Sequence, residues 1–203
     1  MEQKNAFLRA AEKRRSRYAL TDKSPVSDGQ IVRLVQELVR TAPSAFNSQG
    51  ARVLVLFGDK HRTFWQLVRE ALQRIVPAEK FAPTEEKLAS FAAAYGTVLF
   101  FEEWKTVEEQ ERKFPTYKEH FSVWAYQSNG MLEFMVWTAF AGWGLGASLQ
   151  HYNPLVDEAV RRAFGVPESW KLLAQMPFGV PSAPAGEKTF LPLSERVKVL
   201  GEG

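Results

Sequence analysis

The chain of 203 residues contains no cysteine. That excludes disulfides, thiolate catalysis and cysteine-ligated zinc. It has three histidines and no D-x-D or H-x-x-x-H spacing, so no metal site is expected. No nucleophile motif or paired-carboxylate arrangement stands out. No run is long and apolar enough to span a bilayer. The opening Met1-Glu2-Gln3-Lys4-Asn5-Ala6-Phe7 carries no apolar signal core, so a soluble cytoplasmic protein without a membrane partner is expected. Charge of one sign is also lacking: 26 basic residues face 23 acidic ones, for a net +3. A nucleic-acid partner is therefore not required, and no second basic and aromatic stretch supports one.

Aromatic residues are abundant, at 13% with six Trp and fifteen Phe. So much aromatic surface suits a large interface or a pocket that stacks rings. The densest stretch is Trp124 to Pro154. Wound at 3.6 residues per turn, its first part to Trp143 is apolar on nearly every face (Met131, Phe134, Met135, Val136, Trp137, Phe140), the pattern of a helix buried on all sides. Gly142, Gly144 and Gly146 close it. They close a helix and precede a strand, the reverse of a dinucleotide-binding loop, so they read as a C-cap.

Around this helix the chain reads as one α+β domain, residues 1–203, with no repeat and no linker. A charged helix runs from about Glu2 to Arg15. Ser27 and Gln30 form a capping box for a helix with Ile31, Leu34, Val35, Leu38 and Val39 on its buried face. Arg52 to Phe57 is a strand covered on both faces. Asp59 caps a helix to Val76, and a shorter helix covers Thr84 to Ala94. Thr97 to Glu102 is a second strand and Glu103 to Lys113 a surface helix. Pro115 to Phe121 is irregular. Ala147 to Gln150 and Trp170 to Phe178 are further strands. Asn153-Pro154 reads as an N-cap with Pro at the first helical position of a helix to Phe164. A Pro- and Gly-rich tail, residues 181–203, ends in an apolar, strand-like run suited to adding to a partner subunit.

Three segments carry candidate chemistry. Arg14-Arg15-Ser16-Arg17 follows a helix. It reads either as basic residues complementing the helix dipole or as a phosphate site, with guanidinium forks and a hydroxyl. Pro43-Ser44-Ala45-Phe46-Asn47-Ser48-Gln49 reads either as a polar turn or as a carboxamide loop matching the C=O and N–H edge of a heteroaromatic ring. Gln150-His151-Tyr152-Asn153 forms a polar wall. His151 has no visible catalytic partner, so chemistry would have to come from a cofactor.

In this order, the R-R-S-R run, the P-S-A-x-N-x-Q loop leading into an apolar strand, the long apolar helix ending in G-x-G, and the tail with a basic residue and then Pro192 resemble the nitroreductase family of FMN-dependent oxidoreductases. The runs A-P-S-A-F-N-S-Q, Y-G-T-V-L-F-F-E, G-L-G-A-S-L-Q-H-Y-N-P and P-E-S-W-K-L are similar to its fatty-acid-repression and nitroreductase-like subgroup of yeast and bacteria. The resemblance implies a nitroreductase-like fold, with a mostly antiparallel sheet of four or five strands flanked by helices. It implies a homodimer with FMN at the interface. Arg14, Arg15 and Ser16 would hold the phosphate and ribityl chain, with Lys188 reaching in from the tail. Ser44, Ala45, Asn47 and Gln49 would approach the flavin ring from the other subunit. Backbone groups of Ser148, Leu149, Gln150 and His151 would lie against it. The implied activity is ping-pong hydride transfer from NADH or NADPH through flavin N5 to a nitroaromatic or quinone, with a role in oxidative stress. Phe46, Tyr95, Phe114, Tyr117 and Trp124 are candidate walls of the stacking pocket. A flavin- or lipid-binding regulatory or stress-response protein on the same scaffold is the alternative. Two positions depart from the family pattern: Gly50-Ala51 stands where Pro-Trp is common, and Phe190 where a second tail cation is common.

Overall fold

The computed structural model describes residues 5–201. Four antiparallel strands form one sheet in the order β1-β2-β4-β3: β1 Ala51–Phe57, β2 Gly96–Glu103, β3 Gly146–Ala147 and β4 Trp170–Gly179. β2 is central, and seven of its eight residues, Gly96 to Glu102, are buried. Its register sets Val53 opposite Phe100 and Val98 opposite Met176. Consecutive β2 side chains leave the sheet on opposite faces, which accounts for an unbroken apolar run with a core on each side.

On one face Leu99 and Phe101 pack with Phe64, Trp65, Phe91 and Val160. These come from α3 (Gly58–Gln73), α4 (Ala82–Ala92) and α7 (Asp157–Phe164). On the other face Val98 and Phe100 pack with Ile31, Leu132, Phe140 and Phe178. The helices there are α2 (Asp28–Thr41) and α6 (Lys118–Gly142). Each fully buried Phe or Leu contributes about 1.5–3 kcal/mol relative to exposure. α1 (Ala6–Lys13) lies along α6, and α5 (Trp104–Lys113) leads from β2 towards it.

One buried histidine ties the first face together. His61 Nε2 donates to the Ala92 carbonyl at 3.1 Å, so Nδ1 accepts from the Thr97 hydroxyl at 2.8 Å. The Trp65 indole then donates to the same Thr97 oxygen at 2.9 Å. Burial pushes the His61 pKa down to about 4, because a charged imidazolium there would lose its water and one acceptor.

Local signals explain most boundaries. Ser27 and Gln30 cap α2 reciprocally. Gly165 ends α7 at φ 65, a left-handed position that costs glycine little. Other expectations are corrected. Pro154 does not open a helix: residues 153–156 form turns, and α7 begins at Asp157, after Val156. The N-cap of α3 is Phe57, not Asp59, because the chain is still extended when it leaves β1. Only Pro115–Tyr117 is irregular, as a single 3-10 turn, and α6 runs on from Lys118. The expected strand 147–150 is the two-residue β3 plus one bridge from Gln150 to Gln175. Among the described residues the first helix spans Ala6–Lys13 and stops before the expected Arg15; residues 1–4, where the expected helix from Glu2 begins, lie outside the described residues. Among the described residues no helix is long and apolar enough to cross a membrane.

α6 is also not buried on all sides. Asn129, Leu132, Val136 and Phe140 face the sheet, while Phe121 is buried against Phe46, Phe114 and Trp124. Val123, Met131 and Phe134 form an exposed stripe on the outer side. Phe7 of α1 meets Phe134 edge-on at 6.3 Å, and Phe7 and Leu8 are themselves exposed. Exposed apolar side chains thus lie along the outside of the helix, with the exposed Gln127 between Val123 and Met131.

Candidate functional site

The Arg14–Arg17 segment leaves α1 in extended conformation and lies beside the edge strand β3. The Arg17 amide donates to the Ala147 carbonyl at 2.9 Å, and Ser16 bridges Ala147 in parallel sense. The Arg14 guanidinium stacks on the Trp137 ring at 4.4 Å, and the Trp137 indole donates to the Ala147 carbonyl at 3.1 Å. Arg14 Nε is buried without a hydrogen-bond partner. Burial, and after it the Arg15 charge, hold the Arg14 pKa below its ordinary value. No carboxylate among the described residues pairs with Arg14 or Arg15. Two adjacent cations with an unsatisfied buried donor leave room for an anion.

Arg15 and Arg17 also fix the tail. Arg15 donates to the Gly186 carbonyl at 2.6 Å and Arg17 to the Ala183 carbonyl at 3.2 Å. The Lys188 ammonium lies over the Phe190 ring at 5.1 Å and is exposed. Phe190 thus provides a face for Lys188 at the position where the family pattern has a second cation.

Ser148 to His151 continue from β3. The Ser148 and Gln150 amides are taken by the β4 carbonyls of Pro177 (3.4 Å) and Gln175 (2.7 Å). Strand alternation turns the amides of Leu149 and His151 the other way, off the open edge of the sheet. The side chains of the polar wall are largely spent on internal bonds. Gln150 donates to the Ser148 hydroxyl, and Gln175 clamps the Tyr152 amide and the Asn153 side chain. His151 is exposed.

The Ser44–Gln49 loop has an unusual backbone. Phe46, Asn47 and Gln49 have φ values of 55, 52 and 53, each costing roughly 1 kcal/mol or more in a residue with a Cβ. The Ser44 hydroxyl accepts from the Gln49 amide at 3.0 Å, the Asn47 amide donates to the Ser44 carbonyl, and Arg52 donates to the Gln49 carbonyl at 2.8 Å. The loop packs on the first half of α6. Ser44, Ala45 and Phe46 share a cavity of about 370 Å³ with Trp124, Gln127, Ser128 and Met131. Phe46 lies 4.6 Å from Phe114 and about 6 Å from Tyr117 and Trp124, ring to ring. Four of the five expected aromatic walls therefore meet, joined by Phe121. Tyr95 does not join them: it packs on Phe57 and Phe178 and bonds Asp28.

The two halves of the predicted site are not together in one chain. The loop sits at Trp124 and the arginines at Trp137, and thirteen helical residues separate these by about 20 Å. A cleft of about 620 Å³ between Trp104, Asp157, Arg161 and Lys171 contains none of the predicted residues. No metal-ligating cluster occurs among the described residues.

The family model described as "Nitroreductase family" matches residues 11–180. This chain belongs to the nitroreductase family. The Saccharomyces cerevisiae nitroreductase FRM2 is 34% identical over 187 residues, 91% of this chain and 93% of that one. Nitroreductase CinD of Lactococcus lactis, solved in complex with chloramphenicol, is 42% identical, superposes with a TM-score of 0.88 and covers 96% of this chain and 100% of its own. A Desulfovibrio desulfuricans protein solved with FMN shares the fold, with a TM-score of 0.72 at 22% identity over 99% of this chain and 100% of its own. The nitroreductase sheet and both flanking helical layers are thus accounted for across nearly the whole chain.

Sequence reasoning assigned Trp137 to the core and overlooked Gln175, Asn129 and Glu102. Nothing local marks Trp137 as different from its apolar neighbours; only the packing of Arg14 onto its ring does. Glu102, 3% exposed and followed by Glu103 at the end of β2, was legible as a charge near the end of a buried strand.

Proposed function

We propose that this protein is an FMN-dependent NAD(P)H oxidoreductase that reduces nitroaromatic or quinone-type acceptors as a homodimer. The observation that carries the proposal is the Arg14–Arg15 cluster, which meets no carboxylate among the described residues, keeps a buried Arg14 Nε without a partner and lies next to the edge segment Ser148–His151. The group that fits it is anionic at one end and offers ring acceptors along its length. FMN has that shape of charge, and its ring would supply acceptance of a hydride from the nicotinamide and delivery of it to the aromatic acceptor.

The chain's own residues perform binding, orientation and water exclusion. Arg14 and Arg15 would bind the phosphate, with the Ser16 hydroxyl beside them and Lys188 following from the tail. Arg14 is pre-set for this by Trp137, which fixes its plane. The backbone amides of Leu149 and His151 would serve as donors to the bound ring, and fixed donors stabilise negative charge without reorganisation. Ser44, Ala45, Asn47 and Gln49 would read the polar ring edge, with Phe46, Phe114, Tyr117 and Trp124 forming an apolar wall for a second aromatic ring.

Dimerisation brings these halves together. The midpoint of Trp124 and Trp137 on α6 falls at Gly130–Met131, both exposed. An antiparallel crossing of two α6 helices there would carry the Trp124 end of one protomer to the Trp137 end of its partner. The same crossing covers the Val123, Met131 and Phe134 stripe, as an isologous contact requires. The exposed tail side chains Val197, Val199 and Leu200 suit addition to the partner, whose β1 edge is open.

The purified protein should be yellow, or take up FMN on titration, with the flavin absorbance bleached by NADH or NADPH and restored by a nitroarene. A protein that binds no FMN would remove this reading. A flavoprotein that binds FMN but turns over no acceptor would favour a regulatory role on the same scaffold.

A further inference from the structure

Behind the Ser44–Gln49 loop lies a cavity of about 190 Å³ that the flavin reading leaves unused. It sits between the end of α2, Ser128 of α6 and the start of β1. Liquid water takes about 30 Å³ per molecule, so the space holds roughly six. Two small residues in sequence, Gly50 and Ala51, line it. They are also the positions where the chain departs from the family pattern. Ala51 lies opposite Glu102 in the β1–β2 register, so the two side chains leave the sheet on the same face. Pro43, Ser44 and Ser128 line both this cavity and the pocket of about 370 Å³ that holds Phe46 and Trp124. The two spaces are therefore neighbours across a shared wall.

Glu102 lines the inner cavity and is 3% exposed. Its Oε2 accepts from Asn129 Nδ2 at 3.2 Å, while its Oε1 accepts no hydrogen bond among the described residues. Oε1 lies against Gly50, where a Cβ would fall 1.9 Å from it. Asn129 Nδ2 also donates to the Phe101 carbonyl at 2.9 Å, and Asn129 Oδ1 is buried without a partner. This corner thus holds more acceptors than donors, and a buried acceptor without a donor is costly. Charge narrows what can supply the donor. Arg40 and Arg52 line the same cavity and oppose an ammonium, and the carboxyl opposes an anion. A neutral donor, a hydroxyl or an amide N–H, meets both conditions.

We propose that this cavity is a subsite for a neutral hydrogen-bond donor, carried on a short side chain by an aromatic ligand whose ring lies in the neighbouring pocket. The ring stacks on the Phe46 and Trp124 wall. The side chain passes Ser44 and Ser128, and its hydroxyl or amide N–H donates to Glu102 Oε1. Gly50 and Ala51 determine the specificity, because larger side chains there take the space. A Cβ on Gly50 displaces the carboxyl, and an indole at position 51 fills the cavity. That the ring is then reduced rests on the flavin reading; that it is held in this way does not.

The test is calorimetric titration of the protein as purified, without a nicotinamide donor so that nothing turns over. The probes are para-nitrophenethyl alcohol, its methyl ether and para-nitroethylbenzene, which share the ring and differ in the donor. Wild type should bind the alcohol about tenfold more tightly than the other two, the worth of one well-placed hydrogen bond. Ala51→Trp fills the cavity and Glu102→Leu removes the acceptor, and in each the three probes should bind alike. Para-nitroethylbenzene itself should keep its wild-type Kd within about twofold in both, since its ring needs only the outer pocket. Should Glu102→Leu fail to fold, Ala51→Trp and the comparison of probes in wild type still decide. Equal Kd values for alcohol and ether in wild type, no binding of any probe, or a preference for the alcohol that survives in either folded variant would overturn the proposal. A colourless protein that prefers the alcohol keeps the subsite and loses the flavin reading; a yellow protein without that preference does the reverse.

Discussion

Arg14→Ala separates a ligand site from a helix end, because the structure predicts opposite consequences for binding and for stability. In the flavin-free protein Arg14 gains from its stacking on Trp137, worth about 0.5–1 kcal/mol at a partly exposed site. Against that stand the partial desolvation of the guanidinium, an unsatisfied Nε and repulsion from Arg15. These terms nearly offset, so removing the side chain should change the stability of flavin-free protein by no more than roughly 1 kcal/mol. Phosphate binding is another matter. A charge-assisted, forked bond to an anion contributes about 1.5–3 kcal/mol, so Arg14→Ala should raise the FMN Kd about 10- to 150-fold. The assay is flavin fluorescence quenching on titration with protein, paired with urea unfolding of both proteins without FMN. Arg14→Lys keeps the charge but not the fork or the stacking, and should fall between the two. An unchanged Kd in Arg14→Ala, or a Kd change matched by a comparable loss of stability, would show that the cluster merely ends α1.

Two further outcomes follow from the packing. The exposed stripe on α6 predicts that Phe134→Asp gives a monomer by sedimentation and releases flavin, with little change in helix content; a dimer that retains FMN would refute the crossing at Gly130–Met131. The buried ionisable groups predict the pH dependence of stability. Glu102 and Glu133 both have pKa values pushed up to about 7 by burial. The folded state therefore keeps protons that the unfolded chain releases near its usual 4.3, and this stability is lost as pH rises from about 4.5 to 7. His61, held at about 4, has the opposite sign: its contribution is present above about 6.5 and is lost as pH falls toward 4. Between those limits the folded state holds two of these protons and the unfolded state one, so stability should fall with rising pH by about one proton's slope, near 1.4 kcal/mol per pH unit. Glu102→Gln should flatten that slope and His61→Gln should steepen it, both read from urea midpoints across pH 4.5–6.5; unchanged slopes would refute the assignment.

How much of this was legible without coordinates differs from element to element. The strands at Arg52–Phe57 and Thr97–Glu102 followed from apolar runs flanked by turn residues, and the α2 capping box from Ser27 and Gln30, because these signals are local. The same holds for the order of the R-R-S-R run, the N-x-Q loop and the G-x-G helix end, which carried the family. The turn at Asn153-Pro154 left no such mark, because an Asn-Pro pair also fits a helix start.

α6 shows the division most clearly. Its sequence, apolar on nearly every face, determined that both sides of the helix must be covered. It did not say by what. Tertiary structure assigned one side to the sheet, through Leu132, Val136 and Phe140, and left Val123, Met131 and Phe134 open. It also placed the Ser44–Gln49 loop and Arg14 at opposite ends of the helix, about 20 Å apart. The residue types needed for an anion and a ring were thus written in the chain. Their separation, the choice of Trp137 as the rest for Arg14, and the place of Glu102 beneath Gly50 were decided by folding, because each depends on contacts between residues far apart in sequence.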